Sequence, residues 1–484
     1  MSHLTLEHLL NGLAQLSEAE RQIPIHALAL HTDSIVPGTL FFAYPGNQND
    51  GCVFIEPAIQ KGAVAVICDA ACSRPVTSIP CIPIPHLRQH ISEIAARFYG
   101  NPSHDLTLIG VTGTNGKTSV AHFIAQTLSC GFMGTIGIGT VEALAPSPLT
   151  TLDPINIQHQ LAEFKTKGFD TVAMEVSSHA LAQDRVQAVE FDVAIFTNLT
   201  HDHLDYHGDM ACYADAKAKL FQMPSLRFAI SNWDDCFGRF MLDHTRAQSI
   251  TYSLYDDQAD VYIQDIHAIG LGYRLHLSTP WGKGIVTTEL LGDFNLSNLL
   301  CALATLNVLG IPFEESLNRI STLKPVPGRL ERFVREDGLS AFVDYAHTPD
   351  ALEKVLKVLR AHTEGKLWCV FGCGGDRDRA KRPMMARVAE KYCDQIIITN
   401  DNPRTELPNA IIADIQAGLL SSKKTRVIPD RKKAIEMALS QAKSKDKVLI
   451  AGKGHETYQI MGEERLPFDD RACVRMCFSR ETVD

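Results

Sequence analysis

Short apolar runs separated by polar, glycine-containing breaks recur along most of the chain, and their spacing predicts its elements. Residues 39–43 and 63–67 are apolar segments of strand length, and a helical stretch then runs up to Tyr99-Gly100-Asn101-Pro102-Ser103, a helix stop followed by a linker. Beyond it, residues 106–111 read as a buried strand, and residues 117–128 put Val120, Phe123, Ile124 and Leu128 on one helical face, with a glycine-containing loop between. Further apolar strands at 171–174 and 191–197 are separated by helical stretches, the alternation of a parallel sheet covered by helices. From 261 to 291 the pattern changes: Tyr273, Leu275 and Leu277 alternate with other residues and 280–284 supply a turn, which predicts an antiparallel meander added to the central domain. Two prolines in Lys324-Pro325-Val326-Pro327-Gly328-Arg329 mark a second boundary, and 367–371, 395–399 and 447–451 then repeat the strand, turn, helix order. The expected architecture is therefore α/β in three domains, at 1–104, 105–325 and 326–484. The middle one carries a mainly parallel sheet plus the meander, and the last is Rossmann-like.

Composition agrees with this reading. At 484 residues, 45% hydrophobic and 21% charged, each of three domains can bury its own core, and disorder, collagen and coiled coil are excluded. Lys plus Arg number 46 against 56 Asp plus Glu, a net −10, so no overall basic field draws in nucleic acid or an anionic membrane. A small anionic substrate needs only a few local arginines. The first residues lack the basic region and apolar core of a signal peptide, and the best apolar run, 62–68, is too short to span a bilayer, so a cytoplasmic protein without membrane insertion is expected. The 13 cysteines are an odd number with no Cys-x-x-Cys pair, so they are expected to be reduced core thiols.

Gly110-Val111-Thr112-Gly113-Thr114-Asn115-Gly116-Lys117-Thr118 follows a predicted strand and opens a predicted helix. In that setting backbone N–H groups cradle phosphates, a Lys neutralises their charge and a Thr hydroxyl can bind Mg²⁺. The strict P-loop pattern wants Gly where Val111 stands, so this is a variant loop in which Gly113 provides the turn. Glu175, in Met174-Glu175-Val176-Ser177-Ser178-His179, falls at the end of the next strand, where an open α/β sheet presents its ligands; it reads either as a second Mg²⁺ ligand or as a helix cap. Asn198 to His207, with His201, Asp202, His203, Asp205 and His207, follows another strand end. It resembles a His-x-His-x-Asp-His metallohydrolase signature except that Tyr206 stands where the final His belongs, which keeps a zinc hydrolase as a rival of a different class. Residues 213–221 read as an amphipathic helix whose lysines, Lys217 and Lys219, are solvated. The charge-alternating run 376–382 reads as a solvated loop.

Taken together and in order, residues 113–118, 175–179, 198–206 and Gly292-Asp293-Phe294-Asn295-Leu296-Ser297-Asn298 resemble the Mur ligase family of ATP-dependent amide-forming enzymes of peptidoglycan and cell wall synthesis. The resemblance covers nearly the whole chain and is closest to members that add meso-diaminopimelate. It implies a UDP-sugar-binding N-terminal domain, a central P-loop ATPase domain and a C-terminal domain that brings the amino acid. It implies that Gly113, Thr114, Asn115, Gly116, Lys117, Thr118 and Asn295 meet ATP, joined by Arg329, Asp344 and His347 from the last domain. Ser34 and the Asn47-Gln48-Asn49 turn would meet the UDP-sugar, although Ile35 stands where the family usually has a basic residue. Thr150, Thr151, Ser177, Gln183 and Arg185 would hold the muramoyl dipeptide. Arg377, Asp401-Asn402-Pro403-Arg404, Gly452 and Glu456 look like the amino-acid site.

By position Lys217 matches the family's carbamylated lysine, in which CO₂ capture turns a cation into an oxygen ligand suited to Mg²⁺. The implied catalytic set is Lys117, Glu175, His203 and Lys217. One Mg²⁺ would sit on Thr118 and Glu175, the other on His203 and carbamylated Lys217. The expected reaction activates the D-glutamyl carboxylate of UDP-N-acetylmuramoyl-L-alanyl-D-glutamate as an acyl phosphate, which the amine of meso-diaminopimelate then attacks. ATP, the UDP-muramoyl-dipeptide and the amino acid are the expected partners, and a monomer is expected. Alternatives are a sister ligase adding L-lysine, a folylpolyglutamate-type ligase and a non-catalytic nucleotide sensor.

Overall fold

The computed structural model describes residues 4–46, 50–72, 77–270 and 272–480. Two compact units divide the chain: the first comprises 1–261 with 304–311, the second 262–303 with 312–484. In the first unit a four-stranded, all-parallel sheet runs Ala27–Ala29, Thr39–Ala43, Ala63–Asp69, Cys81–Ile84. Its middle strands are apolar along their whole length, as strands covered on both faces must be, and helix Leu87–Phe98 packs Ile91, Ile94 and Ala95 into the same core.

A second sheet in this unit carries the predicted 171–174 and 191–197 strands on either side of Thr107–Thr112. Its parallel order is Gly131–Gly134, Thr171–Glu175, Thr107–Thr112, Val193–Phe196, Phe228–Asn232, Gln248–Ser253. Chain order reverses at Thr107–Thr112, so the crevice at its carboxyl end is a topological switch point, the usual ligand position in such sheets. The helix predicted there spans Lys117–Leu128 and buries Val120, Phe123 and Ile124.

Val261–Ile269, Gly272–Thr279 and Gly282–Thr288, all but Val261 in the second unit, form the expected antiparallel meander. The remaining sheet runs Glu331–Val334, Ser340–Asp344, Lys447–Ala451, Leu367–Phe371, Gln395–Ile398, Thr425–Val427, parallel except for the first strand. Helices Pro349–Ala361 and Lys381–Tyr392 cover one face with Leu352, Leu356, Met385 and Ala389. Because the four central strands are parallel, residues 344–347, 372–378, 399–404 and 452–456 all emerge at one carboxyl edge.

The cysteines depart from expectation. Cys52 and Cys72 are joined as a disulfide between the segment before helix Ile55–Gln60 and the turn after strand Ala63–Asp69. Cys212 and Cys236 are exposed, whereas Cys68, Cys130, Cys301, Cys369, Cys373, Cys393 and Cys473 are buried thiols. Counting and spacing cannot reveal a pair made by two segments that fold back beside one strand. Among the described residues no helix is long and apolar enough to cross a membrane.

Candidate active site

The phosphate loop is shaped by contacts that exclude side chains. Gly113 has φ +147° and a Cβ there would fall 1.9 Å from Thr197 Oγ1, while Gly116, at φ +88°, opens the helix in the left-handed region. Asn198 braces the loop from the neighbouring strand end: its Oδ1 accepts from Asn115 N at 3.0 Å, its Nδ2 donates to Asn115 O at 3.0 Å, and its carbonyl accepts from Thr114 N at 2.8 Å. Lys117 Nζ folds back onto the carbonyls of Gly113 and Thr114, both at 2.9 Å. Thr118 Oγ1 donates to Glu175 Oε2 at 3.0 Å. Glu175 is wholly buried and also accepts from Thr135 N at 2.7 Å; the helix after it is capped instead by Ser177. Of the two readings of Glu175, the ligand-like one fits this placement.

Lys217 corrects the solvated-helix reading. It is 1% exposed, its Nζ donates to Gly113 O at 2.9 Å, and it lies 4.4 Å over the Tyr213 ring. Burial, and next the charge of Lys117, hold its pKa well below the usual lysine value. A buried amine whose charged form is disfavoured is the kind that captures CO₂, so the residue fits a carbamate. Lys219 stays exposed as expected, with its Nζ on Leu181 O at 3.2 Å. His203 lies above Tyr213 with ring centroids 6.2 Å apart, and its pKa is lowered by burial first. His179, 4.8 Å from the His203 ring, is pushed down to about 4 by burial and by its histidine neighbours, which leaves it a neutral imidazole. Among the described residues no three His, Cys, Asp or Glu side chains converge as a ready-made metal cage. Oxygen ligands at the loop would be Thr118, Glu175 and a carbamate on Lys217, the hard donors Mg²⁺ prefers.

Four of the dipeptide candidates interlock. Thr151 Oγ1 donates to Glu175 O at 2.8 Å and accepts from Ser177 N at 3.0 Å. Arg185 donates to Thr151 O at 2.8 Å and to Gln183 Oε1 at 2.6 Å and 3.0 Å. Thr150 adjoins through a 3.1 Å bond from Thr135 Oγ1. Ser34 is exposed on the short turn Thr32–Ser34, outside this cluster, and Asn47, Gln48 and Asn49 lie outside the described residues.

In the second unit Asn295 sits in helix Asp293–Val308, its Nδ2 on Leu291 O at 2.9 Å. Arg329 stacks 4.6 Å over Tyr345. Asp344, buried, accepts from Leu330 N at 2.6 Å and Ala346 N at 2.7 Å; burial raises its pKa although Arg329 opposes this. His347 is exposed beside them, its Nδ1 on Tyr345 O.

The amino-acid candidates gather at one sheet edge, and several are hydrogen-bonded there. Asn402 Nδ2 donates to Glu456 Oε2 at 2.9 Å, and Gly452, at φ +116°, leaves room for Asp401, whose Oδ2 a Cβ there would meet at 2.6 Å. Arg404 is half-buried at φ +54°, and its Nη1 donates to Gly375 O at 2.7 Å. Arg377 is exposed nearby, with Nη1 on Asp376 O. Two residues escaped the sequence reading. Lys453 is fully buried and bonds Glu456 Oε2 at 2.7 Å and Asn402 Oδ1 at 3.1 Å; its place inside Gly452-Lys453-Gly454-His455-Glu456 was the available signal. Arg382, expected in a solvated loop, is 0% exposed because it begins helix Lys381–Tyr392 pointing inward, and no local pattern distinguishes it from its exposed neighbours.

A loop of this kind at a switch point makes the molecule an α/β phosphate-binding protein. The chain belongs to the Mur ligase family: the descriptions "Mur ligase family, catalytic domain", "Mur ligase middle domain" and "Mur ligase, glutamate ligase domain" match residues 24–99, 111–306 and 328–454. It is 49% identical over 481 residues to the UDP-N-acetylmuramoyl-L-alanyl-D-glutamate--2,6-diaminopimelate ligase of Coxiella burnetii, covering 95% of this chain and 98% of that one. A protein of the same name from Pseudomonas aeruginosa is 48% identical over 461 residues, covering 94% and 95%. A solved structure with that name superposes at TM-score 0.72 and 35% identity, covering 100% of both chains. MurF ligase from Thermotoga maritima in complex with ADP shares the fold at TM-score 0.64 and 18% identity, covering 88% of this chain and 93% of that one.

Proposed function

We infer that this protein is an ATP-dependent, ADP-forming ligase that joins meso-diaminopimelate to UDP-N-acetylmuramoyl-L-alanyl-D-glutamate in peptidoglycan synthesis. The observation that carries the reading is the Lys117 and Thr118–Glu175 arrangement in a chain similar over 95% of its length to ligases of that name. A carboxylate is a poor electrophile because its leaving group would be oxide. Transfer of the γ-phosphoryl group of ATP to the D-glutamyl carboxylate makes an acyl phosphate, and the amine of the incoming amino acid then displaces phosphate. Phosphoryl transfer mainly needs positioning and charge neutralisation. The N–H groups of residues 113–118 and the Lys117 ammonium supply both on the protein side.

Mg²⁺, when bound, would supply positive charge to offset that of the transferring phosphoryl group; Thr118, Glu175, His203 and a carbamate on Lys217 are the residues that would hold it. The Lys217 amine adds to CO₂ and releases a proton, which its lowered pKa favours. Thr150, Thr151, Ser177, Gln183 and Arg185 are assigned to the muramoyl dipeptide, and Ser34 with 47–49 to the uridine end. Asn295, Arg329, Asp344 and His347 are assigned to the nucleotide. Arg377, residues 401–404, Gly452 and Glu456 are assigned to diaminopimelate. Functional modules at 1–104, 105–325 and 326–484, cytoplasmic placement and a monomeric state complete the reading. The test is ADP release from the UDP-muramoyl-dipeptide with a panel of amino acids: release that requires diaminopimelate is expected, and release indifferent to the amino acid would overturn it.

A further inference from the structure

The candidate diaminopimelate arginines sit on two loops, 374–377 and 402–406, and the second is also bonded to the 458–467 hairpin through Arg404 N to Ile460 O at 3.2 Å and Gly462 N to Arg404 O at 2.8 Å. Asp376 and Arg404 are non-glycine residues at φ +53° and +54°, a conformation that persists only when surroundings enforce it. The loops are stapled to each other: Gly375 N donates to Asn402 O at 2.9 Å, Arg404 Nη1 to Gly375 O at 2.7 Å, and Thr405 N and Oγ1 to the two Asp376 carboxylate oxygens at 3.1 Å and 2.7 Å. They are so close that a Cβ on Gly375 would fall 1.8 Å from Pro403 O.

Behind the staple lies a charge cluster the reaction does not use. Glu406 Oε1 accepts from Asp376 N at 2.6 Å and from Arg382 Nη2 at 2.7 Å, and its Oε2 from Arg382 Nη1 at 2.9 Å. Arg382 also donates to Gly374 O at 3.2 Å and to Asp414 Oδ2 at 2.8 Å, and Asp414 is held in turn by Arg379. A buried ion pair adds little stability over apolar packing of equal volume, and Arg382 leaves its Nε unbonded. What the pair supplies that packing cannot is a fixed carboxylate oxygen at the Asp376 amide, with a second grip on Gly374 O. Only Nη1 of the Arg404 guanidinium is engaged among the described residues, which leaves its other nitrogens for a ligand.

We propose that Arg382 and Glu406 are positioning residues that set the angle of Arg404 and so decide between an amino acid with a distal carboxylate and one without. This rests on the reading of Arg404 as the group that grips that carboxylate. Two parallel bonds to a carboxylate demand a fixed guanidinium plane, and loosening the loop pair costs that geometry before it costs anything at the phosphate loop.

The test is steady-state kinetics of the full-length protein with diaminopimelate and with L-lysine, for the unmutated chain, Glu406→Gln, Arg382→Met, Arg382→Lys and Arg404→Ala. Glu406→Gln and Arg382→Met are expected to raise KM for diaminopimelate about ten-fold or more, with KM for ATP and for the UDP-muramoyl-dipeptide, and kcat, within about two-fold. Arg382→Lys recovers part of the loss. In an Arg404→Ala background, Glu406→Gln should add less than about two-fold, since residues acting through one another are not additive. If Arg382→Met fails to fold, the partly exposed Glu406→Gln carries the test. Equal use of both amino acids by the unmutated protein would overturn the selection reading and this proposal with it. Selection in the unmutated protein that persists undiminished in Glu406→Gln and in folded Arg382→Met, or a parallel fall in every kinetic constant, or full additivity with Arg404→Ala, would overturn the positioning role alone.

Discussion

Lys117 and Lys217 both donate to Gly113 O, at 2.9 Å each, yet their surroundings give them different chemistry. Lys117 is half-buried at the helix start, within reach of the loop that would cradle phosphates. Lys117→Ala is expected to lower kcat at saturating acceptor by about 100-fold or more, the scale of losing one transition-state charge donor; ADP release measures it, and retained turnover would count against the ligase reading. Lys217 is buried, and burial first and Lys117 next disfavour its charged form, so Lys217→Ala should be inactive and partly restored by a short-chain carboxylate, with Lys219→Ala near normal as the control. Mass analysis showing unmodified Lys217 in an active, bicarbonate-independent protein would refute the carbamate. Glu406 titrates the other way. Its hydrogen bonds from Arg382 hold it near about 2 against an ordinary 4.5, so its contribution to stability is complete above the ordinary value and is lost as pH falls towards about 2. The gap in Tm between the unmutated protein and Glu406→Gln should therefore shrink between pH 6 and pH 3 in thermal unfolding.

At the scale of elements, the loop and helix at 113–128 behave as one piece because glycine is required where strand and loop approach each other. Gly113→Ala places a Cβ 1.9 Å from Thr197 Oγ1, so the loop must move away from Asn198. A loss of about 1–3 kcal/mol in stability, the usual scale of local backbone strain, should accompany a larger loss of ATP affinity; denaturant unfolding and KM for ATP read the two separately. The helix Met210–Phe221 was legible as a helix, and the burial of Lys217 was available in the same pattern. Lys217 follows Tyr213 by four residues, so it shares the face that buries that ring. Expecting the lysines to be solvated gave residue type priority over period. Arg382 differs, because the run 376–382 has no period to read, and its burial depends on Glu406 and Asp414 arriving from a distant segment.

At the scale of the whole molecule, the prediction is amino-acid choice. On the assignment of Arg404 to the distal carboxylate, lysine would leave it without that partner; losing one partner of such a pair costs about 2–5 kcal/mol, a preference of roughly 30-fold or more for diaminopimelate in kcat/KM. Arg404→Ala should erase most of it, and a preference that survives would move the role to Arg377 or Glu456. By itself the sequence determined the α/β alternation, the central strands, the meander and the phosphate loop. Those features are written in local period and in glycine placement, which fix backbone conformation over a few residues at a time. Tertiary structure alone decided that Cys52 meets Cys72 and that residues 374–377 and 402–406 are clamped by a buried arginine. A side chain's charge and ligand geometry are set by burial and by partners brought from far along the chain, and neither quantity exists until the sheets have ordered their strands.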